Sequence, residues 1–176
     1  MTSGSTAAWD GRHVVVMGVS GTGKSEIGAR VADALGLAYV EGDAHHPAAN
    51  IEKMSAGTPL TDDDRWPWLR ILAAELDERR ADDQAVVLGC SALRRVYRDV
   101  LRDGHDDVVF LHLAADFDVL FDRMSTREHF MPASLLTSQL ETLEPLEADE
   151  TGVQVDVDAP IEEVVRRSLD ALATRR

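Results

Sequence analysis

The sequence has one cysteine, Cys90, and no apolar run near the about 20 residues that a membrane-spanning helix needs. A single cysteine excludes an internal disulfide. Residues 1–12 have neither the basic nor the apolar region of a secretory signal. We therefore expect a cytoplasmic protein with a flexible N-terminal tail over residues 1–12 and one domain over residues 13–176.

The sequence is also poor in positive charge. It has 18 Lys and Arg residues against 32 Asp and Glu residues, which gives a formal net charge of -14. Such a charge repels nucleic acid and anionic membranes, so we expect neither as a partner. An anionic ligand must therefore be bound at a local basic site.

One motif indicates such a site. The segment from Gly18 to Ser25 reads GxxxxGK(S/T), directly after the apolar run His13 to Met17 and before a helical pattern. Glycines allow backbone N–H groups to curl around a phosphate, the lysine can reach the β- and γ-phosphates, and the last hydroxyl can bind Mg²⁺. The alternative is a glycine-rich turn with an incidental lysine. The predicted nucleotide-binding residues are Gly18, Val19, Ser20, Gly21, Thr22, Gly23, Lys24 and Ser25.

Short β-branched runs alternate with helical patterns along the chain, which is typical of a parallel sheet covered by helices on both faces. The fold class is therefore α/β, with a five-stranded parallel sheet in one domain. The predicted strands are 13–17, 37–40, 85–89, 108–113 and 153–157. Helices are predicted after the glycine-rich loop, from Thr61 or Asp62, over 92–101, over 116–124 with Asp116 as cap, and after Pro160, with a short helix possible over 48–56.

Two acids follow the second predicted strand, where ligands collect in sheets of this kind. The third strand ends in Gly89 and Cys90 without an acid that could support Mg²⁺. Glu41 is therefore predicted to assist Ser25 at the metal, and Asp43 to accept a proton from a substrate hydroxyl. The alternative is that both are solvated turn acids. Cys90 itself is predicted to be a packed residue rather than a nucleophile.

Arginines supply the candidate cations. Arg123 and Arg127 are four residues apart, next to an irregular segment, and are predicted to lie on a lid over about 123–134 and to neutralise a migrating phosphate. Four arginines lie near loops that follow strands, and guanidinium groups bind carboxylates well: Arg65, Arg94, Arg95 and Arg98. Together they indicate a small acidic substrate, although each could instead be a surface ion-pair partner.

The residues named so far, with several longer motifs, resemble the gluconokinase family over nearly the whole chain, from Val14 to Leu172. The shared motifs are Met17 to Ser25, Glu41-Gly42-Asp43 with His46-Pro47, Asn50 to Met54, Gly57 to Arg65, Pro67-Trp68-Leu69, Cys90 to Arg94, Tyr97-Arg98-Asp99, His129-Phe130-Met131 and Gln139 to Glu144.

The resemblance implies a fold like that of nucleoside monophosphate kinases, with ATP and Mg²⁺, a mobile lid and a homodimer. It implies ATP-dependent phosphorylation of D-gluconate at the 6-hydroxyl, with Lys24, Asp43, Arg123 and Arg127 as catalytic residues. Asp43, Arg65 and Arg94 would contact gluconate, and His46 and Arg98 are further candidates for that role.

Two positions depart from the family pattern. Glu41 stands where the family usually has Asp, and the segment Arg127-Glu128-His129 is shorter than its family counterpart. These departures concern the reach to Mg²⁺ and lid closure rather than the reaction type. Two other hypotheses remain open: a kinase for another polyhydroxy acid such as shikimate, and a nucleotide-binding regulatory or scaffolding protein without turnover.

Overall fold

The computed structural model describes residues 9–126 and 134–175. The strands are β1 (His13–Met17), β2 (Ala38–Glu41), β3 (Val86–Gly89), β4 (Val108–Ala114) and β5 (Gly152–Asp156). The helices are α1 (Lys24–Leu35), α2 (Ala48–Ser55), α3 (Asp62–Ala81), α4 (Arg95–Arg102), α5 (Phe117–Ser125), α6 (Ser134–Thr142) and α7 (Ile161–Ala173), and a 3₁₀ turn spans Gly42–His45.

All five strands are parallel, in the order β2-β3-β1-β4-β5. This confirms the predicted α/β fold with a five-stranded parallel sheet. The central strand β1 is fully buried because both of its faces are covered. Val14 and Val16 pack with residues of α1 and α7, whereas Val15 and Met17 pack with residues of α3 and α4. The carboxyl ends of β1, β2 and β3 therefore share one edge of the sheet.

Local signals explain several helix boundaries. Gly36 ends α1 in the left-handed conformation (φ 72°), and Thr61 begins α3 with a reciprocal capping box to Asp64. Asp116 is the residue before α5, but its side chain makes no capping hydrogen bond. The helix predicted over 92–101 starts only at Arg95, because Ala92 adopts a left-handed conformation (φ 46°) in the loop after β3.

The predicted boundaries of the tail and the lid are only partly described. Within the tail, Trp9 packs against the core cluster that contains residues of α1 and α7, and its indole nitrogen donates to the Arg12 carbonyl. The packed part of the chain therefore begins before residue 13. Of the predicted lid over about 123–134, residues 127–133 lie outside the described ranges. No helix within those ranges is long and apolar enough to cross a membrane.

Candidate active site

The glycine-rich loop between β1 and α1 has the backbone that an anion cradle requires. Gly18, Gly21 and Gly23 have φ values of 146°, 86° and 84°, a region that favours glycine. At Gly18 a side chain is also excluded by space, since a Cβ would lie 2.5 Å from the Leu113 carbonyl oxygen. The Gly18 amide donates to the Ser91 carbonyl at 3.2 Å. The loop leads into the N-terminus of α1, where the positive end of the helix dipole attracts phosphate.

The loop also contacts α5, the helix whose last turn overlaps the predicted lid. A Cβ at Gly21 would lie 3.1 Å from Met124 Cγ and 3.2 Å from the Leu120 carbonyl oxygen, both on α5. Glycine thus allows α5 to pack directly on the phosphate loop.

Lys24 and Asp43 line one pocket at the carboxyl edge of the sheet, which is partly open to solvent. Lys24 Nζ donates to the Val19 carbonyl at 3.1 Å. Burial lowers the pKa of the Lys24 ammonium, and the nearby Asp43 carboxylate opposes that shift. The other polar residues that line this pocket are Ser20, His46, Arg65, Ser91, Ser138 and Gln139.

Ser25 and Glu41 are brought together at the mouth of the loop. Ser25 Oγ donates to Glu41 Oε2 at 2.5 Å, and the Tyr39 hydroxyl donates to the same oxygen at 3.1 Å. Burial, followed by the Glu41 charge, raises the pKa of Tyr39, which keeps its hydroxyl protonated as a donor. A hydroxyl and a carboxylate in contact are hard oxygen ligands of the kind that Mg²⁺ binds beside phosphates. The described residues contain no cluster of three or more His, Cys, Asp or Glu side chains suited to a metal.

His46 lies beside Asp43 in the pocket wall. Its ring stacks on Trp68 with centroids 4.0 Å apart, and only 4% of its side chain is exposed. The Trp68 indole in turn donates to the Gly42 carbonyl at 2.8 Å. Burial, reinforced by the charge of Arg65, lowers the pKa of His46 to about 4, so the imidazole is neutral at pH 7.

Arg65 also lines the pocket, whereas Arg94 lies behind it. One nitrogen of Arg65 donates to the Tyr97 hydroxyl at 3.1 Å, and Tyr97 donates to Asp62. Arg94 is held by Asp62 at 2.6 Å and by Glu144 at 3.4 Å, and it does not line the pocket. A direct contact between Arg94 and substrate therefore stays a prediction.

Arg98 does not lie in the pocket, and the prediction that it contacts substrate is wrong. Its side chain is completely buried and forms an ion pair with Glu150 at 2.6 Å. The remaining donors bind the backbone carbonyls of Ala92, Leu93, Glu144 and Pro145 at 3.1 to 3.4 Å. Arg98 therefore supports the loop that carries Ser91 and Leu93 into the pocket, and it has no surface to offer a ligand.

Arg123 lines a second pocket, which is half open to solvent and lies between the start of α1 and the loop after β5. Its guanidinium donates to the Val157 carbonyl at 2.6 Å, next to Thr22, Gly23 and Ala159. Arg123 thus does not line the pocket of Lys24, and its contact with the migrating phosphate stays a prediction. Arg127 lies outside the described residues.

Helix α6 is not among the helices that the sequence predicts, although Gln139 belongs to a motif shared with the gluconokinase family. Gln139 Oε1 accepts a hydrogen bond of 2.7 Å from the Ser20 amide of the phosphate loop. The apolar spacing of Leu136, Leu140 and Leu143 is the signal that could have revealed this helix. Cys90 is packed as predicted, because it is fully buried at the end of β3 and burial raises its pKa to about 12.

A phosphate loop after the central strand, an acid that shares its pocket and a second pocket beside α1 define a phosphate-loop kinase. The family model described as shikimate kinase matches residues 20–173. The thermoresistant gluconokinase of Escherichia coli (strain K12) is 43% identical over 170 residues, which cover 96% of this chain and 97% of that protein. The gluconokinase of Gluconobacter oxydans (strain 621H) is 48% identical over 160 residues, which cover 88% and 90%.

Solved structures agree with the sequence relatives. A gluconokinase from Sinorhizobium meliloti 1021 is 50% identical, superposes with a TM-score of 0.84, and is matched over 93% of this chain and 92% of that one. The chain belongs to the gluconokinase family, within the wider group that the shikimate kinase model describes. The family resemblance of the sequence motifs is thereby confirmed.

Proposed function

We propose that this chain transfers the γ-phosphoryl group of ATP to the 6-hydroxyl of D-gluconate and releases ADP and 6-phospho-D-gluconate. The observation that carries the proposal is the shared pocket of Lys24, Asp43 and Arg65, which combines a phosphate-binding lysine, a carboxylate base and a guanidinium for an acidic substrate. The names of the relatives, which match over most of the chain, support gluconate as that substrate.

In this reaction the amides of the phosphate loop and the Lys24 ammonium hold the phosphate chain. Asp43 hydrogen-bonds the acceptor hydroxyl and takes its proton as the new O–P bond forms and the bond to the ADP oxygen breaks. Ser25 and Glu41 would hold Mg²⁺, which when bound neutralises phosphate charge. Glu41 is one methylene longer than the aspartate usual in the family, and its contact with Ser25 supports the same role.

The carboxylate of gluconate is proposed to bind Arg65. Only one of the guanidinium nitrogens of Arg65 has hydrogen-bond partners among the described residues, the Leu60 carbonyl and the Tyr97 hydroxyl. The other edge of this fork is thus available to a planar anion. Arg94 is proposed to act on this site indirectly. It binds Asp62, which also accepts from the Tyr97 hydroxyl that contacts Arg65.

Further parts of the proposal concern the nucleotide, the lid and the assembly. The second pocket, with Arg123 and Ala159 in its wall, adjoins the phosphate loop and is proposed to hold the nucleotide base. Arg127, with Arg123, is proposed to act on the migrating phosphate. We also propose that the protein works as a cytoplasmic homodimer, which light scattering of the purified protein would test by mass.

The substrate is tested by a coupled assay of ADP release over a panel of sugar acids that includes shikimate. We expect gluconate to be preferred by more than about tenfold, the difference that one well-placed charged contact provides. A comparable preference for another acid would reject gluconate as the substrate. No turnover with any acid, together with intact ATP binding, would instead support a binding-only protein.

The base is tested by Asp43→Asn, with Asp63→Asn on the exposed start of α3 as the matched control. We expect Asp43→Asn to bind ATP with unchanged affinity by calorimetry and to lose at least about 100-fold in kcat, the usual contribution of a general base. The control should match the wild type in both measurements. Equal kcat in Asp43→Asn and the wild type would refute the base assignment.

A further inference from the structure

Asn50 on α2 is a buried polar residue that does not line the pocket. Only 4% of it is exposed. Its Nδ2 atom lies 3.0 Å from the Asp64 backbone carbonyl oxygen and 3.3 Å from His46 Nδ1. A carbonyl oxygen can only accept, so the atom that faces it must be the NH₂ group of the amide. The second hydrogen of that group is then directed at the imidazole.

This arrangement fixes where the proton of His46 resides. If Asn50 donates to Nδ1, then Nδ1 must carry a lone pair, and the neutral ring carries its proton on Nε2. The ring cannot turn over easily, because it is buried and stacked on Trp68. The Nε2–H group consequently faces Asp43, whose Oδ1 lies 3.8 Å away.

The separation of 3.8 Å between Nε2 and Oδ1 is too long for a direct hydrogen bond. It is short enough for one oxygen atom to lie within about 2.8 Å of both groups. A hydroxyl placed there accepts from Nε2–H and donates to the carboxylate. With the other tautomer, a nitrogen lone pair would face the carboxylate and the hydroxyl would lose a donor.

We propose that Asn50 is a positioning residue that holds His46 as the neutral Nε2–H tautomer, so that His46 and Asp43 together bind and orient one hydroxyl of the substrate. The identity of that hydroxyl as part of gluconate rests on the proposed function. The placement of the proton does not, because it follows from the contacts of Asn50 alone.

The charged groups around His46 are compatible with a neutral imidazole. Asp43 faces it from the 3₁₀ turn, and Arg65 faces it from α3, where its charge disfavours the imidazolium. The Asp64 carboxylate behind Asn50 is neutralised by Lys53 at 2.8 Å. Asp64 contacts Asn50 through its backbone carbonyl, and within residues 9–126 and 134–175 no acid hydrogen-bonds Asn50 through its carboxylate.

The direct test is NMR of the full-length protein with ¹⁵N-labelled histidine, with the His46 signals assigned by their absence in His46→Gln. We expect the ring nitrogens of the wild type to report a neutral Nε2–H tautomer at pH 7.5. In Asn50→Asp an acceptor replaces the donor, so the proton should move to Nδ1 or the ring should become charged. An Nδ1–H or charged ring in the wild type, or an unchanged tautomer in Asn50→Asp, would overturn the proposal.

Two substitutions of His46 provide a kinetic test that does not depend on the folding of Asn50→Asp. The amide nitrogen of Gln can take the place of Nε2, whereas that of Asn takes the place of Nδ1. We expect His46→Asn to raise the KM for gluconate by about tenfold or more, as loss of one hydrogen bond to an ionic site can, and His46→Gln to raise it less. The KM for ATP should stay within about twofold in both. Equal losses in the two variants would overturn the proposal.

The Asn50→Asp substitution should act only through the imidazole. We expect it to lower kcat/KM for gluconate in the wild-type background and to have little further effect in the His46→Gln background. Glu52→Gln, an exposed change on the same helix, is the matched control and should be silent. Additive losses in the double variant would refute the coupling. A wild type with the expected tautomer but no activity on gluconate would count against the proposed function alone.

Discussion

Replacement of Arg98 by methionine tests whether this arginine supports the fold or binds substrate. The substitution keeps much of the apolar stem but deprives the buried Glu150 carboxylate of its closest cation. The Glu147 amide at 2.8 Å and Arg95 at 3.9 Å remain as its partners. The substitution also removes the donor that binds the Ala92 and Glu144 carbonyls. Loss of one partner of a buried ion pair costs about 3–5 kcal/mol, so the free energy of unfolding should fall by about that amount.

The loss of unfolding free energy in Arg98→Met should be larger at higher pH. Burial is the largest single influence on Glu150 and works against its ionisation. The hydrogen bonds from Arg98 and the Glu147 amide, with the charges of Arg98 and Arg95, together hold the pKa of this carboxyl below its usual range. In the wild type the pair stabilises the protein above the unfolded pKa of about 4.5, and this contribution is lost as the pH falls through the lower folded pKa. Without Arg98, burial raises the pKa of Glu150, so protonation relieves the penalty. The difference between variant and wild type should therefore be larger at pH 7.5 than at pH 5.

Guanidinium chloride denaturation followed by tryptophan fluorescence measures this difference at both pH values. Arg98→Met/Glu150→Gln removes the buried charge and should recover part of the stability. Arg166→Met, which breaks exposed ion pairs on α7, is the control and should change stability little. The KM for gluconate in Arg98→Met should rise by less than about tenfold, the smallest loss expected for a guanidinium that binds the substrate. Unchanged stability with a larger rise in KM would refute our reasoning.

Two further predictions concern the loops around the pocket. Gln139→Ala removes the acceptor of the Ser20 amide, so kcat/KM for ATP should fall by about five- to tenfold, equivalent to about 1 kcal/mol. The exposed Glu141→Ala on the same helix should leave this ratio unchanged, and a similar loss in both variants would contradict the assigned contact. Ala92→Gly should leave the melting temperature unchanged or raise it, because glycine adopts the left-handed conformation of this residue without strain. Ala74→Gly within α3 should instead destabilise by about 1 kcal/mol, and equal shifts in melting temperature would show that Ala92 is unstrained.

The sheet and the phosphate loop could be predicted from the sequence because their signals are local. Runs of β-branched residues mark buried strands. The glycines and Lys24 lie within eight residues, at the spacing that a phosphate-binding backbone turn requires. Asp43 and Glu41 could be placed as well. Once β2 is recognised as a parallel strand, its carboxyl end must lie at the same edge of the sheet as the loop after β1.

Contacts between distant parts of the chain could not be predicted in the same way. The sequence around Arg98 gives no sign that this residue is buried, because its partner Glu150 lies 52 positions further along the chain. The spacing of Arg123 from Arg127 predicts a role on the phosphate, yet Arg123 binds the Val157 carbonyl in the loop after β5, 34 positions further along the chain. The sequence shows Gln139 only as a polar residue beside apolar ones. Its contact with the Ser20 amide of the phosphate loop becomes visible only in the structure.

The two helices that precede and follow residues 127–133 in the sequence, α5 and α6, both contact the phosphate loop. α5 packs on Gly21, and α6 is joined to Ser20 through the side chain of Gln139. A change in the shape of the loop when a triphosphate arrives must therefore be accommodated by both helices, on neighbouring residues of the same turn. Nucleotide occupancy and the arrangement of these helices are consequently linked by mass action, and anything that shifts the helices should alter affinity for nucleotide to the same degree.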